Sequence, residues 1–73
     1  MTKMRIARML AGISQLDLAF KVGSTQPVIA RLEAGGINRA DVRTVLKIAQ
    51  ALHVSMVDIL DCVEGENPPG GQL

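Results

Sequence analysis

The side chains with the most evident recognition chemistry in this chain are an amide and a guanidinium five residues apart, Gln26 and Arg31. A side-chain amide presents an acceptor and a pair of donors in one plane, so it can bond N6 and N7 of adenine together. A guanidinium forks onto guanine O6 and N7, or holds a phosphate. The residue patterns of bond-making chemistry do not occur. There is no glycine-rich phosphate loop, no nucleophile beside a base and no paired-carboxylate site. The single histidine, His53, has no Cys, His or carboxylate cluster that would make it a metal ligand or a catalyst. The expectation is a binding protein rather than an enzyme, with no metal and no cofactor.

The elements that must position these groups lie between Ser14 and Glu33. Ser14 is an N-cap with Asp17 three residues on, a capping-box spacing. Leu18, Ala19 and Val22 then mark one helical face, and Gly23 ends the helix because the C′ backbone is usually left-handed. Only Ser24 intervenes before Thr25 caps the next helix. Pro27 falls in its first turn, where a missing N–H costs nothing, and Ile29 and Leu32 continue the buried stripe. Helices this short, joined this tightly, must cross steeply. That is the helix-turn-helix arrangement, whose second helix is presented to the major groove of DNA. Gln26 opens that helix. Arg31 lies on its outward face with Pro27 and Ala30, which offer contact to thymine methyls, and Val28 reads as either groove or core, with a half-buried position expected.

The remainder reads as support. Helix 1 is expected from about Thr2 to Ala11, with Met4, Ala7 and Leu10 or Ala11 inward and Gly12 closing it. Residues 35–39 read as a flexible connection, and helix 4 starts near Asn38 or Asp41. Val42, Val45, Leu46, Ala49 and Leu52 form its apolar stripe, and it ends at His53, among the few side chains that tolerate a positive φ. Ser55 with Asp58 opens helix 5, expected through about Cys62. Residues 64–73, with Pro68-Pro69-Gly70-Gly71, have neither periodicity nor enough apolar content to fold. The expected organisation is an all-α domain over 1–63 and a flexible tail over 64–73.

Seventy-three residues allow one domain with a small core, and a single aromatic means that core is aliphatic. Cys62 is alone, which excludes an intramolecular disulfide and suits a reducing cytoplasm; no apolar run suggests a signal or membrane helix. The net charge of +1 is unevenly sorted. Residues 1–39 carry Lys3, Arg5, Arg8, Lys21, Arg31 and Arg39 against Asp17 and Glu33, a balance of +4. Residues 40–73 carry Arg43 and Lys47 against five acids, a balance of −3. The basic half is the half with the candidate recognition helix, as attraction to phosphate requires.

The run Gly12-Ile13-Ser14-Gln15, Leu18-Ala19, Val22-Gly23, Thr25-Gln26, Ile29, Leu32-Glu33, Gly35 resembles the phage-repressor/Cro-type helix-turn-helix family. Arg8 upstream and Leu46, Ile48-Ala49, Leu52 and Val54-Ser55 downstream extend the likeness over roughly Met4 to Leu60. The resemblance implies a compact five-helix, lambda-repressor-like DNA-binding domain, with Gln26 at the family's base-contact position. It makes Gln15 the phosphate clamp at the start of helix 2, with Thr25, Asn38, Arg39 and Arg43 as further phosphate contacts. Asn38, Arg39 and Arg43 follow a connection about one residue longer than the family's, where a solvated loop is the alternative. Arg8 and Glu33 match the family's internal ion pair. Val57, Leu60 and Val63, with Ile37, match the region where family members dimerise, which would set two recognition helices about 34 Å apart.

The chain departs from the family at Pro27 and Ala30, where polar residues are commoner, so DNA shape is expected to share in specificity. It departs again at Leu16 and Phe20, usually charged, which either pack beneath helix 1 or the tail, or form a docking surface. The function implied is a sequence-specific, DNA-binding transcriptional regulator: a cytoplasmic repressor acting as a dimer on an inverted repeat of double-stranded DNA. The alternative is an antitoxin or another interaction module of the same fold that docks a partner protein.

Overall fold

The computed structural model describes residues 2–61. Four α-helices, α1 (Lys3–Leu10), α2 (Gln15–Val22), α3 (Gln26–Glu33) and α4 (Val42–Leu52), are accompanied by one-turn 3-10 segments at Gly36–Arg39 and Met56–Asp58. There is no strand among the described residues. Both capping pairs read from the sequence are present. The Ser14 hydroxyl accepts the Asp17 N–H at 3.0 Å while the Asp17 carboxylate reaches the Ser14 N–H at 3.4 Å. Asp58 accepts from the Ser55 N–H at 3.0 Å and from its hydroxyl at 2.8 Å. The Ser55 hydroxyl and N–H hold the Asp58 carboxyl below its ordinary value of 3.8. Asp41, not Asn38, caps α4 by accepting the Thr44 N–H at 3.1 Å. Bonds from Thr44 lower the Asp41 carboxyl in the same way.

Helices α2 and α4 end by one device. At the close of α2, the Ser24 N–H bonds the Ala19 carbonyl at 2.8 Å and the Gly23 N–H bonds that of Phe20 at 3.3 Å, with Gly23 at φ +72°. This paired closure around a left-handed residue lets the chain reverse within two residues into α3. At the close of α4, the Val54 and His53 N–H groups bond the Ala49 and Gln50 carbonyls, with His53 at φ 60°. His53 is the non-glycine residue that holds this conformation among the described residues.

The core is aliphatic throughout: Met4, Leu18, Ala19, Ile29, Ile37, Val45, Ile48, Ala49, Leu52 and Ile59 are buried, with Ala7, Ile13, Val22, Leu32 and Leu60 packed around them. Packing corrects several expectations. Leu10 is 83% exposed and Ala11 is exposed, so α1 buries Met4 and packs half-buried Ala7 against the core. On α4, Val42 and Leu46 face out and Ile48 faces in. Two overlapping stripes satisfy helical spacing there. The packing of α2 and of the Met56–Asp58 turn against α4 selects the one through 45, 48, 49 and 52.

The expected fifth helix is a single 3-10 turn over Met56–Asp58, because Ile59 must enter the core and Asp61 must reach back. The Asp61 N–H bonds Asn38 Oδ1 at 2.8 Å, and its Oδ1 takes the Lys3 N–H of the first turn of α1 at 3.1 Å. The connection expected to be flexible over 35–39 contains the Gly36–Arg39 3-10 turn. Gly36 suits this close approach, since a Cβ at 36 would lie 3.0 Å from the Arg31 carbonyl oxygen, tighter than most such contacts. That turn drives Ile37 fully into the core, so Ile37 is no part of a subunit interface. Of the other residues assigned to that interface, Val57 is exposed and Leu60 half-buried; Val63, like the 64–73 tail, lies outside the described residues.

Candidate nucleic-acid interface

The face carrying Gln26 is organised from beneath by the one buried charged side chain among the described residues, Glu33, at the C-terminal end of α3. Arg8 of α1 forms an ion pair with it through Nε and Oε2, and Arg8 Nη2 lies 3.4 Å from Oε1. Arg8 Nη1 donates to the Ile13 carbonyl at 2.7 Å. One guanidinium therefore ties α1 to the end of α3 and to the loop that leads into α2. The Thr2 hydroxyl adds a 2.6 Å bond to the Glu33 carbonyl. The ion pair implied by the family resemblance is thus present and enclosed, with side-chain exposures of 11% for Arg8 and 4% for Glu33.

From this hub a line of amides leads to the surface. Gln15 Nε2 donates to Glu33 Oε1 at 3.0 Å, and Gln15 Oε1 accepts from Gln26 Nε2 at 2.7 Å. Gln15 is half-buried and Gln26 is exposed. The first residue of α2 and the first residue of α3 are therefore joined side chain to side chain above the ion pair. Arg5, Arg8, Ser14, Gln15, Leu16 and Gln26 line one open depression at this corner. Exposed Arg5, the positive end of the α2 dipole and the exposed Gln26 amide make it suited to a phosphate, while Arg8 is committed to Glu33. Arg5, exposed on α1, was not singled out in the sequence; its signal was membership of the basic run Lys3, Arg5, Arg8.

On α3 itself, Gln26, Pro27 and Arg31 are exposed, while Val28 and Ala30 are half-buried. The projecting ridge is thus narrower than expected, since Ala30 is partly withdrawn. Thr25 occupies the N-cap position, yet its side chain makes no cap bond, which leaves the exposed hydroxyl uncommitted to the helix. After α3 in the chain, Arg39 at the end of the 3-10 turn and Arg43 in the first turn of α4 are exposed. Asn38 is half-buried and its side-chain amide oxygen accepts the Asp61 N–H, so it is tied into the fold at the base of α4.

Leu16 (66%) and Phe20 (87%) are exposed on α2, so they do not pack beneath α1. Among the described residues no group of His, Cys, Asp and Glu is arranged to hold a metal ion, and no helix is long and apolar enough to cross a membrane.

Compared with known proteins, the chain matches the sequence model of a helix-turn-helix family over residues 4–59. No curated protein and no solved structure matches it.

Proposed function

Because the chain belongs to the Cro/C1-type helix-turn-helix family of DNA-binding transcription regulators, we propose that it is a sequence-specific repressor. It inserts α3 into the major groove of double-stranded DNA and binds an inverted repeat as a homodimer in the cytoplasm. The observation that carries this reading is the exposed pair Gln26 and Arg31 on one helix, set beside the basic depression at the start of α2. Gln26 contacts adenine and Arg31 contacts guanine or the adjoining phosphate. Pro27 and Ala30 meet thymine methyls, and Gln15, Thr25, Arg39 and Arg43, joined by Arg5, grip the backbone on either side. Two such helices related by a twofold axis would sit about 34 Å apart, with exposed Val57 and neighbouring Leu60 supplying the contact.

Selection of bound sequences from a random DNA pool, run at two salt concentrations, tests this. The expected result is an inverted-repeat motif whose binding weakens steeply with salt, because phosphate contacts release counterions. The motif should be lost in Gln26→Ala and Arg31→Ala while both variants melt as wild type. Enrichment of no sequence overturns the proposal.

A second reading is supported by Leu16 and Phe20, which leave the chain's one aromatic ring in solvent beside the DNA-facing corner. In that reading the domain is an antitoxin or a similar module that docks a partner protein by this apolar strip. Such docking would be nearly insensitive to salt and abolished by Phe20→Ala, whereas DNA binding would not be.

A further inference from the structure

We propose that Glu33 is a positioning residue for base recognition, fixing through Gln15 which end of the Gln26 amide faces the DNA, and thereby selecting adenine over guanine. The inference rests on the base-contact role of Gln26 proposed above and adds to it a cause of its specificity.

The argument is one of donor and acceptor polarity. A glutamine amide is nearly symmetric in shape, and a free one turns either its oxygen or its NH2 outward. A carboxylate paired with a guanidinium has only lone pairs to offer. Both Glu33 oxygens are engaged by Arg8, and Oε1 also receives Gln15 Nε2 at 3.0 Å. Gln15 can meet that oxygen only with its NH2, so its own oxygen is turned toward α3. There it accepts Gln26 Nε2 at 2.7 Å. Gln26 in turn is left with Oε1 and its second Nε2–H to present outward. The chemistry of an acceptor at the buried end fixes the whole sequence, and each member holds the next.

That outward pair matches adenine, whose N6–H2 donates and whose N7 accepts. Guanine shows two acceptors, O6 and N7, at the same edge, and a fixed Oε1 would face O6 oxygen to oxygen. An amide free to reverse would instead offer its NH2 to guanine. Gln26 discriminates, on this account, because a buried carboxylate one helix-length away removes that freedom. Glu33 never touches the DNA. It sits at the opposite end of α3 and is 4% exposed.

The test reads base preference rather than affinity. Random-pool selection is carried out with the wild-type chain, Gln26→Ala, Glu33→Gln and Gln15→Leu, with melting followed for each. Glu33→Gln can present either a donor or an acceptor to Gln15. Gln15→Leu cuts the relay and leaves the Arg8–Glu33 pair whole, so it decides alone if Glu33→Gln does not fold. In every folded relay variant the adenine-to-guanine ratio at the base pair read by Gln26 should fall by about fivefold or more, while the pair read by Arg31 keeps its preference. An unchanged ratio in the folded variants overturns the inference, as does a parallel loss of preference at every base pair, the mark of a merely structural defect. A wild-type chain that enriches no sequence, or a Gln26→Ala variant with unaltered preferences, overturns the base-contact premise instead.

Discussion

Removing Arg8 should cost this protein much of its stability. In Arg8→Ala the Glu33 carboxylate remains in a site where it is 4% exposed, and of its side-chain partners only the Gln15 amide at 3.0 Å is left. The Ile13 carbonyl loses its 2.7 Å donor in the same change. Stranding one member of an enclosed ion pair costs about 3–5 kcal/mol, chiefly because the surviving charge must be desolvated without its counter-charge. A chain of this size has a total stability of roughly 4–11 kcal/mol, so the loss is about a quarter of it at the least. At about 4–8 °C per kcal/mol the midpoint should fall by at least roughly 12 °C. Thermal and urea unfolding followed by far-UV circular dichroism give the value. Gln26→Ala, which deletes an exposed side chain, should shift stability by under about 0.5 kcal/mol. Replacing both charges, Arg8→Met with Glu33→Leu, should recover much of the loss, since apolar residues of similar volume remove the stranded charge. If Arg8→Ala melts like Gln26→Ala, the pair is in effect a surface pair, and the enclosure argued for it is wrong.

Two further outcomes follow from the backbone and the caps. His53 closes α4 at φ 60°, where a side chain costs about 1–2 kcal/mol relative to glycine's freedom, partly offset by the greater entropy of glycine in the unfolded chain. His53→Gly should therefore stabilise the domain by up to about 1 kcal/mol, raising the melting midpoint by a few degrees; a lower midpoint would show that the imidazole makes a contact worth more than the strain. The carboxyls of Asp58 and Asp41 are held below their ordinary value of 3.8 by bonds from Ser55 and Thr44. A lowered folded-state value means the native state binds protons less readily than the unfolded chain. The stabilisation by these caps is complete above the unfolded value and lost as the pH falls through the lowered ones. Midpoints measured from pH 5 downward should drop less steeply in Asp58→Asn than in wild type, and an identical acid limb would remove that carboxyl from the account.

Local signals were legible wherever the physics is local. Ser14 with Asp17, Gly23 in its left-handed turn, the closure at His53 and the Ser55–Asp58 pair each involve groups within a few residues, and all were readable before any packing was known. The family likeness, too, was carried by residues in order along the chain, and the family match covers residues 4–59. A capping pair marks where a helical turn begins but not how far it runs, and this is why a fifth helix was expected where one 3-10 turn stands. Spacing likewise admits two faces for α4, and only the elements packed on it decided that Ile48 goes in while Val42 and Leu46 stay out.

What the amino-acid order determined by itself was the order of the four α-helices, the capping pairs at Ser14 and Ser55, the tight turn between α2 and α3, and the placing of Gln26 and Arg31 on the second of them. Tertiary structure alone decided that Ile37 belongs to the core, that Asn38 is held at the base of α4 by Asp61, and that Gln26 is joined through Gln15 to a buried carboxylate. The reason is the range of the forces. Caps and turns close over three to five residues of backbone. Burial and the polarity of a hydrogen-bonded relay depend instead on groups distant in the chain, here 8, 15, 26 and 33, which only the packed fold brings within reach.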